Sequence, residues 1–280
     1  MFKDLKNEAI ISFNIKPVSP LAIRSGQENV LEPNRPDMQC VRSFYGGKES
    51  VYIPGASLKG VIRTRCEQII NLLGGVTCNV TNSSQSCSNK QKELSDNTAK
   101  EKYENMCLAC QLFGSTLTAS RIAFPDAYPI GEVITGIKKG VGINRITGAA
   151  QQGALYDQEV VESAVFNVSI FLTNYELKQL KLSLWAIKDL DDGLYGIGGG
   201  TTRGMGRVTV SDIKIKIRDY RSNKEGFLLG REKEDIGGKL DYKKEAYYFT
   251  SNLNGWEELL EEGSPLYEVD VSKSLTKVGG

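Results

Sequence analysis

The 280-residue chain contains no histidine. That absence excludes Ser-His-Asp and Cys-His nucleophile activation, imidazole general bases and histidine metal ligands together. Chemistry here has to rest on carboxylates, lysines, tyrosines, cysteines or a bound metal. Long apolar runs are missing too, none approaching the roughly 20 residues of a membrane-spanning helix. Residues 1–8, Met-Phe-Lys-Asp-Leu-Lys-Asn-Glu, lack the apolar stretch of a secretory signal. A cytoplasmic protein with no membrane partner is therefore expected. Charge of one sign is also lacking: 35 Lys and Arg against 34 Asp and Glu leave a net charge of +1. Glu257, Glu258, Glu261, Glu262, Glu268 and Asp270 gather acid near the C-terminus. Any polyanion site must accordingly be a local patch.

Two segments are the most informative of what is there. Residues 53–65, Ile-Pro-Gly-Ala-Ser-Leu-Lys-Gly-Val-Ile-Arg-Thr-Arg, read as a turn opening a helix, with Lys59 and Arg63 one turn apart. Residues 193–207 hold seven glycines and two arginines, so bare N–H groups can come close to phosphate oxygens. This loop lacks the Gly-Lys-Ser/Thr of a nucleotide phosphate loop. It also leads from a helix into a strand, the reverse of a dinucleotide fingerprint. The pairing points to a nucleic-acid backbone as ligand.

Periodicity places these segments in a fold. Ile11, Phe13 and Ile15 alternate with polar residues as a strand. The stretch 18–52, with Pro20, Pro33 and Pro36, reads as a long irregular connection. Leu58, Ile62, Cys66, Ile69 and Leu73 form one apolar helical stripe ended by Gly74-Gly75. Residues 120–124 make a short strand stopped by Pro125, and Phe166, Val168, Ile170 and Leu172 make another. Thr173-Asn-Tyr-Glu176 reads as a capping box opening a second helix on Leu177, Leu180, Leu184 and Ile187. After the glycine loop, Val208 and Val210 slip phase against Ile213, Ile215 and Ile217, which predicts a bulge at Ser211-Asp212. Strand, helix, strand, strand, helix, strand is the ferredoxin-like (RRM-like) βαββαβ pattern, an α+β fold with an antiparallel sheet. Residues 1–220 are expected to form this domain, with insertions at 18–52, 76–117 and 127–162. Residues 221–280 form an extension with one docked helix around Trp256, Leu259 and Leu260.

Cys78, Cys87, Cys107 and Cys110 punctuate the polar insertion with 8, 19 and 2 residues between them. Four thiolates can make a closed tetrahedral zinc site that fastens a segment too polar to hold itself together. Free core thiols, or disulfides in a secreted protein, are the alternatives; Cys40 and Cys66 read as loop and core residues.

Six segments in order resemble the RAMP superfamily of CRISPR–Cas proteins, and within it the Cas-seven backbone subunit of type III effector complexes. They are Ser19-Pro-Leu-Ala-Ile-Arg-Ser-Gly26, Pro36-Asp-Met-Gln-Cys-Val-Arg42, Ile53 to Arg63, Cys107-Leu-Ala-Cys-Gln-Leu-Phe-Gly114, Gly142-Ile-Asn-Arg-Ile-Thr-Gly148 and the loop Gly193 to Arg207. The resemblance implies a ferredoxin-like palm that binds guide RNA (crRNA) and copies stacked into a filament with other effector subunits. It further implies a β-hairpin thumb within 127–162 that flips a base between guide and target RNA. An aspartate in the loop after the first strand would support metal-dependent cleavage of the target.

On that basis Asp37 is the expected catalytic residue, with Mg2+ or a similar divalent ion, and Glu28 and Glu32 are rivals. Asp37 also reads simply as a Pro-Asp turn residue. The expected RNA contacts are Arg24, Ser25, Arg42, Ser57, Lys59, Arg63, Lys138, Lys139, Asn144, Arg145, Tyr156, Gly198, Gly199, Gly200, Thr201 and Arg203, with Leu155 and Tyr156 as thumb wedges. Each cation equally reads as part of a solvated face. An architectural RNA-binding subunit without nuclease activity, a guide-processing RAMP endoribonuclease and a zinc-bearing protein unrelated to RNA are the rival readings.

Overall fold

The computed structural model describes residues 4–24, 36–92, 98–220, 243–245, 247–264, 266–267 and 269–272. Its first strand, β1 (Asn7–Pro17), buries Ala9, Ile11, Phe13 and Ile15 to 1% exposure or less, while Ser12 and Asn14 stay half-exposed. A period of two puts one face of the strand in the core and the other toward water. The connection thought irregular contains a hairpin, β2 (Arg42–Tyr45) and β3 (Lys48–Val51). Its turn is Gly46-Gly47, with φ of +60° and +81°, the left-handed pair that a two-residue hairpin turn needs and that glycine adopts freely.

Helix α1 (Gly55–Leu72) follows Pro54 and buries Leu58, Ile62, Cys66 and Ile70. Its last buried position is Ile70, while Leu73 is 37% exposed at the C-cap. The insertion contains three short helices, α2 (Cys87–Lys92), α3 (Ala99–Glu104) and α4 (Leu108–Phe113). Two short strands follow, β4 (Ile122–Ala123) and β5 (Tyr128–Pro129). Next comes a long ribbon of β6 (Ile134–Ile143) against β7 (Ala150–Ser163). The core resumes with β8 (Phe166–Thr173), α5 (Leu177–Asp191) and β9 (Val208–Asp219).

The capping box lies three residues later than the spacing predicted. Thr173 is still in β8, paired with Glu8, and Asn174 turns the chain at φ +51°. Glu176 is the N-cap of α5 and exchanges hydrogen bonds with Gln179. The expected bulge is present: the β1–β9 register shifts between Ser12 and Asn14, opposite Asp212, which has φ +55°.

In the main sheet the order β9-β1-β8-β4, with β5 also on β8, is antiparallel throughout. That order and the two helices α1 and α5 are compatible with a ferredoxin-like fold. The C-terminal residues do more than dock a helix. Strands β10 (Lys243–Lys244) and β11 (Phe249–Asn254) extend the sheet beyond β9, and α6 (Gly255–Leu260) buries Leu259. No helix among the described residues is long and apolar enough to cross a membrane.

Candidate nucleic-acid interface and metal centre

Residues 20–24 connect most of the predicted site. On one side Leu21 and Val161 at the base of β7 exchange hydrogen bonds of 2.8 Å. On the other, Gly199 N donates to Ala22 O at 2.9 Å and Gly206 N to Pro20 O at 2.9 Å. This approach depends on glycine: an ideal Cβ on Gly198 would lie 2.3 Å from Ala22 O. The glycine loop is thus an ordered partner of this segment, which offsets the conformational entropy of its seven glycines.

Residues 36–42 join the same junction. Met38 N donates to Asp157 O at 3.1 Å and Glu159 N to Met38 O at 2.8 Å. Asp37 is exposed, and its Oδ2 accepts the Asp157 N–H at 3.0 Å. Arg24 Nη2 donates to Gln158 Oε1 at 3.0 Å. Arg42 grips Glu159 through both terminal nitrogens, and Glu159 also accepts the Cys40 N–H at 2.9 Å. Burial alone would raise the Glu159 carboxyl, but the hydrogen bonds from Arg42 and Cys40 outweigh it and hold the group below its ordinary range. Arg42 therefore ties this segment to the ribbon.

The ribbon carries the next group. Lys138 and Lys139 are exposed and stand opposite Gln158 and Asp157. Tyr156 lies across Gly140, where an ideal Cβ would come within 2.2 Å of its ring, and Arg203 Nη1 reaches its hydroxyl at 3.4 Å. Asn144 shapes the ribbon's turn instead of extending outward: its Oδ1 accepts from Ile146 N and its Nδ2 donates to Gln151. Arg145 and Ile146 are exposed at the turn, and Leu155 is 75% exposed on β7. Arg24, Asp37, Arg42, Lys138, Lys139, Tyr156, Gly198, Gly199, Gly200, Thr201 and Arg203 thus belong to one connected assembly. Ser25, Glu28 and Glu32 lie outside the described residues.

Lys59 and Arg63 do not share a furrow with the glycine loop. The residues of α1 beside that loop are Val61, Thr64, Arg65 and Gln68, which with Tyr195, Thr201, Thr202 and Arg207 line a cleft of about 720 Å³. Lys59 and Arg63 sit on the other side of the helix, roughly 150–170° from the middle of that row. Burial and then the neighbouring Arg63 lower the Lys59 ammonium from its ordinary value. Ser57 is exposed in the first turn, its N–H donating to Pro54 O at 2.9 Å. Sequence reasoning missed Arg65, held 2.7 Å from Asp189, and Gln158, 2% exposed beneath Arg24. No motif marks either; only the sequence spacing Val61, Thr64, Arg65, Gln68 on one helical face could have found the first.

The four insertion cysteines converge. The Sγ atoms of Cys78, Cys87, Cys107 and Cys110 all lie within 4.8 Å of one another. Four thiolates about 2.3 Å from a zinc ion would be roughly 3.8 Å apart, so this set could hold one metal ion. Cys107 caps α4 and Cys110 lies in its first turn, which is how a C-x-x-C pair presents two sulfurs to one point. Without metal the thiols share protons: hydrogen bonds from Cys110 and Cys87 favour the Cys107 thiolate, and that bonding pushes Cys110 and Cys87 up. With four protein ligands and no water position, such a site is closed and compatible with structural zinc.

No curated protein matches the chain. The family model described as RAMP superfamily matches residues 14–209, taking in the end of β1, the Asp37 segment, α1, the cysteine insertion, the ribbon and the glycine loop up to the start of β9. The match covers well over half of the chain and the whole assembly around residues 20–24, and the chain therefore belongs to the RAMP superfamily.

Proposed function

We propose that this chain is a guide-RNA-binding backbone subunit of a type III CRISPR effector that cuts complementary target RNA with the help of Asp37. Membership of the RAMP superfamily supports a role in CRISPR RNA-binding complexes in general. The observation that carries the finer reading is the junction where Asp37, Arg24, the base of the β6–β7 ribbon and the glycine loop are bonded to one another. Guide phosphates would lie along the glycine loop and Arg203, with the cleft residues Arg65 and Arg207 on the flank. Backbone contacts of this kind position a strand without reading it, and base pairing then selects the target. The ribbon is the thumb in this reading, with Leu155 and Tyr156 at the wedge. The four cysteines hold a structural zinc that fastens residues 76–117. The chain would work beside further copies or related backbone subunits.

Cleavage needs no protein nucleophile. The target's 2′-hydroxyl gives up its proton to solvent as its oxygen attacks the adjacent phosphorus in line. The bond to the 5′-oxygen breaks, that oxygen takes up a proton from water, and a 2′,3′-cyclic phosphate and a free 5′-hydroxyl remain. The Asp37 carboxylate accepts the hydrogen bond of the attacking 2′-hydroxyl and orients it. A divalent ion such as Mg2+, held by Asp37 against the phosphate, would supply neutralisation of the developing charge. The Asp37–Asp157 hydrogen bond also favours a second reading, in which Asp37 only fixes the loop to the ribbon and the subunit binds RNA without cutting it.

The test is Asp37→Ala in the assembled complex, with target affinity measured alongside cleavage. Cleavage lost by 100-fold or more at unchanged affinity supports the nuclease. Unchanged cleavage removes Asp37 from the chemistry and leaves the architectural reading. Absence of co-purified small RNAs with uniform repeat-derived 5′ ends would overturn the guide-binding role itself.

A further inference from the structure

The geometry points to Arg63 as the charge-compensating residue of the cysteine centre, not an RNA contact. Its three guanidinium nitrogens each have a partner. Nη2 donates to Cys110 Sγ at 3.6 Å, Nη1 to Gly114 O at 3.4 Å and Nε to Glu67 Oε1 at 2.8 Å. The guanidinium also stands 6.0 Å from the centre of the Phe113 ring. Cys110, Phe113 and Gly114 form one turn and the C-cap of α4, so a single α1 side chain spans the helix that carries two of the four thiols.

The chemistry gives this placement a purpose. A divalent ion in four thiolates leaves two negative charges in excess, and three of the four cysteines are buried. Removing such a charge from water is costly unless a cation lies close and donates a hydrogen bond to a ligand atom. Arg63 does both, and among the described residues it is the cation bonded to a cysteine sulfur of the cluster. Glu67, one turn further along α1, holds the guanidinium in place. A metal centre of four thiolates carries more excess negative charge than a cluster that still holds thiol protons, so Arg63 acts on the loaded centre more than on the empty one. This inference rests on the structural-metal reading above.

The experiment compares wild type, Arg63→Met, Arg63→Lys and Glu67→Gln in competition with a chromophoric zinc chelator at fixed pH. Loss of an outer hydrogen-bond partner typically weakens metal binding 10- to 100-fold, and that range is expected for Arg63→Met. Arg63→Lys keeps the charge without the fork and should recover part of the loss; Glu67→Gln should cost less than Arg63→Met. Cobalt(II)-loaded Arg63→Met should show its thiolate charge-transfer band moved to lower energy, because an unbonded thiolate gives up electrons more easily. Removing a merely structural arginine would lower the melting temperature of metal-free and loaded protein alike, whereas here the loaded form loses more. If wild type binds one zinc and Arg63→Met stays within twofold with an unshifted cobalt band, the inference is wrong. If wild type binds no metal at all, the metal reading itself fails. Should Arg63→Met not fold, Arg63→Gln, which removes the charge but keeps a polar side chain for Glu67 and Gly114, decides on the same terms.

Discussion

Replacing Gly198 by alanine tests whether the close contact between the glycine loop and residues 20–24 holds the site together. Two costs add at this position. Gly198 has φ +80°, where an L-residue pays roughly 1–2 kcal/mol, partly offset by a stiffer unfolded chain. In addition, its Cβ would lie 2.3 Å from Ala22 O and 3.1 Å from Ala22 C. Backbone cannot swing aside as a side chain can, so the loop and residues 20–24 must part. The Gly199 N to Ala22 O hydrogen bond goes with them, at a further cost of about 1 kcal/mol. The sum is about 3 kcal/mol. Gly204 is the internal control: it has φ +76° in the same loop but nothing within 4 Å of an added Cβ, so only the conformational cost of about 1 kcal/mol applies. At about 2–4 °C per kcal/mol for a chain of this size, thermal unfolding should separate the two variants by about 4–8 °C. Affinity for single-stranded RNA should fall for Gly198→Ala more than for Gly204→Ala. Equal melting temperatures would refute the reasoning, because the contact with Ala22 would then contribute nothing beyond backbone torsion.

Glu159→Gln removes the charge and one of the two acceptor oxygens that Arg42 grips, and with Glu159 only 11% exposed the loss should be about 2 kcal/mol at neutral pH. Because the folded carboxyl titrates below its ordinary value near 4.5, its contribution is full above that value and fades as pH falls through the depressed one. Denaturant melts at pH 7 and pH 3.5 should therefore show the gap between wild type and variant narrowing with acid; a constant gap would contradict the pairing. Lys181→Met should loosen the C-terminal residues, since Lys181 Nζ donates to Tyr267 O at 2.7 Å and Val269 O at 2.8 Å from a 6% exposed position. Limited proteolysis should cut near residue 265 faster, with hydrogen exchange in β1 unchanged; an unchanged cutting rate would exclude this anchor.

The sequence by itself determined the elements whose periodicity answers to a core. In β1, β8, β9, α1 and α5 one face is buried and the other wet, so apolar residues recur every second or every third to fourth position and the elements can be read. The bulge at Asp212 was legible for the same reason, as a slip of phase. The β6–β7 ribbon could not be read from periodicity, and the expectation of a hairpin within 127–162 rests on the family resemblance alone. Both faces of the ribbon meet solvent along most of its length, so nothing forces alternation, and pairing across strands holds it instead. The β2–β3 hairpin carried a signal in Gly46-Gly47 that the surrounding prolines obscured. The four cysteines announced themselves by type, but only the fold could bring sulfurs from residues 78 to 110 within 4.8 Å. Which way a cation on α1 points is decided by what packs beside it. Lys59, Arg63 and Arg65 are equivalent in sequence, yet Arg63 turns to the cysteines and Arg65 to the glycine-loop cleft. Contacts between residues more than a hundred positions apart, such as Asp37 with Asp157, leave no mark in a single chain's sequence and exist only once the chain has folded.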